Sequence, residues 1–130
     1  MIKTDIAYRN MEGDDKLREY ATTKIGELEK YLPRQVRESA IARILLEEDA
    51  SGREDNRFVC DVIITVHGEE MKSKEGTVNI YAAVDIVEAK LRSQLRSYKD
   101  KHTNEPRRAR MLARWLGRKR DPEPEVEAIE

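Results

Sequence analysis

Side chains that could act as nucleophile, acid or metal ligand are few and scattered in this sequence. Cys60 is the single cysteine, so neither a CxxC zinc pair nor an internal disulfide can be drawn. His67 and His102 lie far apart, and neither shares a motif with a cysteine or a carboxylate. Glu47-Glu48 and Glu69-Glu70 are paired acids, but neighbours on a strand point to opposite faces and cannot cooperate on one proton. The glycines at 13, 26, 52, 68, 76 and 117 form neither GxGxxG nor a phosphate-cradling P-loop. The chain therefore reads as no enzyme, with no cofactor, no metal site and no small-molecule substrate. Its cations carry more information. Lys90, Arg92, Arg96, Lys99 and Lys101 crowd one segment, and long cationic side chains at helical spacing suit a phosphate backbone.

The element that must position them starts after Gly76. Asn79 is placed to cap the free N–H groups of a first helical turn. Val84, Val87, Leu91, Leu95 and Tyr98 then recur three and four residues apart, forming one apolar face. Arg92, Arg96 and Lys99 share a second stripe, with Lys90 and Lys101 outside it. Upstream, Ile2 to Tyr8 alternates as a strand. Gly13-Asp14-Asp15 opens a helix that runs to about Leu32, before Pro33, with Leu17, Ala21, Ile25, Leu28 and Leu32 as its apolar face. Ser39 to Glu48 is strand-like through Ala42, Ile44 and Leu46. A polar loop follows from Asp49 to Asn56. Arg57 to His67 is a better strand, with Cys60, Val62, Ile64 and Val66 inward, and a short strand from Glu70 to Glu75 precedes the second helix. The order β-α-β-β-β-α predicts an α+β fold: a four-stranded mixed sheet, its first two strands parallel, with both helices on one face.

The overall charge conceals an asymmetry. The 130 residues carry a net −1, yet residues 121–130 hold five acids and no base, and without them the balance is +4. Residues 90–120 hold twelve Lys and Arg against two acids, which marks an electrostatic binding region. Aromatic residues at 5% argue against recognition built on base stacking. No G-x-x-G loop suits a KH domain, and no aromatic motif suits an RRM. The lysine-rich start of the second helix of a double-stranded-RNA-binding domain is also missing. Recognition of folded RNA by shape and phosphate remains. No apolar run is long enough for a signal core or a membrane span, so a cytoplasmic protein without membrane contact is expected.

Glu75-Gly76, a short spacer, Tyr81-Ala82-Ala83-Val84-Asp85, then Lys90-Leu91, Gln94-Leu95 and Lys99-Asp100-Lys101 resemble the second helix of the ribosome hibernation-promoting factors. Leu17-Arg18-Glu19-Tyr20, Lys24 and Leu28-Glu29-Lys30-Tyr31 look like the first helix of that family. The resemblance spans roughly residues 1–102 and is to the short form of the family. It implies a translation inhibitor that binds ribosomal RNA in the messenger- and transfer-RNA channel of the small ribosomal subunit and stabilises idle whole ribosomes under stress. By position, the implied RNA-binding residues are Lys24, Lys30, Lys90, Arg96, Lys99 and Lys101. Arg92 joins them from its place on the stripe, with Arg18 and Arg34 as secondary contacts. Ser93 and Ser97 stand where the family usually has bases, and Thr23 where a second lysine is common.

The composition changes after His102, which divides the chain into a ribosome-binding domain over 1–104 and a basic-then-acidic tail over 105–130. Thr103 to Pro106 is expected to end the helix. Pro106 to Arg120 carries seven bases and no acid, adding Arg107, Arg108 and Arg110 as secondary RNA contacts. The tail reads as disordered or as a short helix with an apolar stripe of Ala109, Leu112 and Leu116, flanked by Met111 and Trp115. That stripe gives the alternative function, a regulatory protein-binding module.

Overall fold

The computed structural model describes residues 1–51 and 54–119, with the backbone alone at residue 54 and over 102–119. Strands β1 (Lys3–Arg9), β2 (Ile41–Glu48), β3 (Phe58–Val66) and β4 (Glu69–Thr77) form one four-stranded sheet in chain order. β1 pairs with β2 in parallel, and β2–β3 and β3–β4 are antiparallel. Helix α1 (Asp15–Gly26) crosses between β1 and β2, and α2 (Ile80–Lys119) follows β4. The α+β fold is the expected one.

Register builds the core. Ala42 pairs with Ile64, Ile44 with Val62 and Leu46 with Cys60, so the alternating apolar residues of β2 and β3 fall on one face. All six are fully or almost fully buried, and Met71 of β4 extends the row beside Ile64. α2 covers that face over β3 and β4, while α1 lies beside it towards β1. Val84, Val87, Leu91, Leu95 and Tyr98 are buried as their spacing predicts, as are Leu17, Ala21, Ile25, Leu28 and Leu32 from the first helical segment. Asn79 caps α2, its Oδ1 accepting from the Tyr81 N–H at 2.8 Å. Asp14 does the same for α1, accepting from the Leu17 N–H at 2.7 Å.

Four local features differ from expectation. α1 gives way to a 3₁₀ turn over Glu27–Tyr31, although the apolar face continues into it. At the junction the Gly26 carbonyl accepts from the Ile2 N–H at 3.1 Å, tying the N-terminus to the helix. A second 3₁₀ turn, Arg34–Ser39, fills what sequence periodicity left blank before β2. β4 is longer than the expected Glu70 to Glu75, because all nine of its residues pair with β3. The His67-Gly68 connection has φ of +48° and +80°, the left-handed pair of a two-residue hairpin turn, which glycine adopts without steric cost.

The fourth difference is the most consequential for the outline. α2 does not stop between Thr103 and Pro106 but continues to Lys119. Pro106 removes one N–H from a helix of forty residues, and the Arg, Ala, Met and Leu residues after it are strong helix formers. The acidic segment 121–130 and Gly52 of the expected polar loop lie outside the described residues.

Candidate nucleic-acid interface

Burial fixes the rotation of α2, and rotation decides where its cations go. With Leu91, Leu95 and Tyr98 against the sheet, Arg92, Arg96 and Lys99 fall on the flank towards the first helical segment. Lys90 and Lys101 fall on the opposite flank, over β4.

On the first flank, a groove of about 320 Å³ runs between the two helical segments. Lys24, Glu27, Lys30 and Tyr31 line it from one wall and Glu88 and Arg92 from the other. The Tyr31 ring carries two cations, the Lys30 ammonium 5.4 Å from its centroid and the Arg96 guanidinium at 5.1 Å. Both distances are within cation–π range, so the ring holds Arg96 in place. Lys24 Nζ lies 3.5 Å from Asp85 Oδ1, and Asp85 also accepts the Tyr20 hydroxyl. That bond, with burial and the Asp85 charge behind it, pushes the Tyr20 phenol up from 10.0 to about 12. Tyr20 also meets Tyr81 edge to face, with centroids 5.0 Å apart.

Arg92 is held more tightly than its neighbours. Its Nε donates to Glu88 Oε2 at 3.1 Å and its Nη2 to Glu88 Oε1 at 2.6 Å, a forked pair one helical turn apart. Glu88 is one of two polar or charged residues that are buried among the described residues. Its carboxylate holds the guanidinium proton more firmly than usual.

On the second flank, Lys90 pairs with Glu75 of β4. Lys101, Ser93 and Ser97 border a shallow hollow beside Glu69 and Met71, and the Gln94 amide donates to the Lys72 carbonyl at 2.8 Å. Arg18 is exposed on α1 and Arg34 is exposed at the start of the second 3₁₀ turn; neither lines the groove. Lys99 is exposed. The side chains of Arg107, Arg108 and Arg110, and those of the stripe around Leu112, Trp115 and Leu116, lie outside the described residues.

The structure thus gathers Lys24, Lys30 and Arg92 at one groove, with Arg96 beside it on the Tyr31 ring, and sets Lys90 and Lys101 apart from them. Sequence reasoning missed Tyr31, Asp85 and Glu88. Only Glu88 left a usable signal, its four-residue spacing to Arg92. Chemically the surface can pair with phosphates. Among the described residues, no group of three or more His, Cys, Asp or Glu side chains could hold a metal ion. No helix there is long and apolar enough to cross a membrane.

Residues 4–103 match the sequence profile of a family described as sigma 54 modulation protein / S30EA ribosomal protein. The chain is 28% identical over 109 residues to a ribosome hibernation promotion factor of Lactococcus lactis subsp. cremoris, covering 84% of this chain but only 56% of that one. It is 29% identical over 100 residues to the ribosome hibernation promoting factor of Salmonella typhimurium, covering 77% and 96% respectively. Its fold resembles the N-terminal domain of Thermus thermophilus Protein Y, with a TM-score of 0.61 and 21% identity over 75% of this chain and 97% of that one. It also resembles a ribosomal subunit interface protein from Coxiella burnetii, with a TM-score of 0.54 and 22% identity over 74% and 98%.

Proposed function

The chain belongs to the sigma 54 modulation protein / S30EA ribosomal protein family, and from that premise we propose that it is a ribosome hibernation factor. It docks on the small ribosomal subunit, in the channel used by messenger and transfer RNA, and so holds the ribosome idle in the cytoplasm. The observation that carries this reading is the cationic flank of α2 facing Lys24 and Lys30 across a groove, in a chain whose curated relatives are named for ribosome hibernation.

The mechanism needs positioning alone. Phosphate contacts by Lys24, Lys30, Arg92, Arg96 and Lys99 orient the domain on folded RNA, and its bulk excludes the natural ligands of the channel. Lys90 and Lys101 contact a second backbone segment from the β4 side. Arg18, Arg34 and the bases at 107, 108 and 110 add long-range attraction. Competition tests the docking site: the protein, titrated onto purified small subunits, should displace labelled transfer RNA and messenger RNA together. Simultaneous binding of all three would exclude the channel as the site.

A further inference from the structure

The cations of this surface are not equally available. Lys24 with Asp85 is an exposed pair at 3.5 Å, with both side chains open to water, and such pairs open readily. Glu88 differs: it is 8% exposed, and the Nε and Nη2 of Arg92 are its two hydrogen-bond donors among the described residues. A guanidinium edge serves one forked acceptor at a time. While that edge holds Glu88 it cannot hold a phosphate, and releasing it strands a buried carboxylate in the groove, which resists the exchange.

We propose that Glu88 is a phosphate-mimicking latch: it occupies the seat that an RNA phosphate takes in the groove between the helical segments, with Arg92 exchanging one anion for the other. The inference rests on the RNA-binding reading above and deepens it. The ligand is a phosphodiester of folded RNA. It enters the groove that Arg92 lines opposite Lys24 and Lys30, whose charge adds to the attraction. The latch lowers affinity, because the phosphate must displace Glu88 before Arg92 can hold it.

The test is the affinity of the full chain for purified small subunits across a salt series, in four versions: wild type, Glu88→Gln, Arg92→Gln and the double variant. Glu88→Gln keeps the shape of the side chain and removes its charge. It should bind more tightly, with a salt slope steeper by about one, worth roughly eightfold in affinity for each tenfold fall in salt. The double variant should bind no better than Arg92→Gln, since the gain passes through Arg92. Thermal melts establish that each variant is folded. A folded Glu88→Gln chain that binds no more tightly than wild type would overturn the latch, as would a gain that persists without Arg92. A wild type that binds no subunits in any salt would overturn the RNA-binding reading with it. Wild-type binding with an unmoved Glu88→Gln would overturn the latch alone.

Discussion

Removing the Asp85 carboxylate tests how the two helices are joined. Asp85 accepts the Tyr20 hydroxyl from α1 and pairs with Lys24 of the same helix. The hydroxyl bond is the leading cause that raises the phenol from 10.0 to about 12. Asp85→Asn keeps the shape and removes the charge, so Tyr20 should titrate lower than in the wild type, back towards 10. The part of the shift that comes from burial, Glu88 and Tyr81 remains. The folded phenol titrates above its unfolded value, so the stabilisation is complete below pH 10 and disappears as pH rises through about 12. Linkage bounds it at roughly 3 kcal/mol, and solvent screening at the protein surface reduces that to about 1 kcal/mol. Carbon-13 NMR of the tyrosine ring, with Tyr20→Phe to assign the signal, reads the titration in both proteins. Urea melts above and below pH 10 read the stability. A wild-type Tyr20 that titrates near 10, or one that Asp85→Asn leaves unmoved, would refute the reasoning.

Further outcomes follow from burial and backbone. The Cys60 thiol, fully buried and pushed up to about 12 by that burial, should resist a thiol reagent at pH 8 and react only as the protein unfolds. Leu91→Ala, at a fully buried position where α2 meets the sheet, should cost about 2–5 kcal/mol in a denaturant melt. Gly68→Ala, at φ +80° with open space around it, should cost about 1–2 kcal/mol through backbone strain alone. Leu91→Ala should also weaken subunit binding if α2 rotation sets the cationic flank, and the binding isotherm of the folded variant checks this.

Much of the fold was legible because its strongest signals are periodic. The apolar residues of α2 from Val84 to Tyr98 repeat at helical spacing, and Cys60 to Val66 alternates as a strand, with tertiary burial agreeing with both. β4 was read too short because Glu69, Gly76 and Thr77 carry no strand pattern of their own: they join the strand through pairing with β3, which no local pattern records. The helix end at Pro106 was misplaced for the converse reason. A local breaker outweighed, on paper, the strong helix formers that follow it. Within the candidate site, the charge on α2 was visible in the sequence, but its pairing was not. Lys90 with Glu75 and Lys24 with Asp85 join residues from different elements, and Tyr31 meets Arg96 only because the first segment folds beside α2.

The central claim is phosphate-led docking through the cations of α2. Its most direct test is co-sedimentation of the full chain with purified ribosomal subunits across a salt series. The comparison is a variant with Lys90→Gln, Arg96→Gln, Lys99→Gln and Lys101→Gln. Wild type should pellet with the small subunit at low salt and release as salt rises, and the variant should lose about three to four units of salt slope with most of its affinity. Binding that ignores salt, or that survives the four substitutions unchanged, would contradict the account.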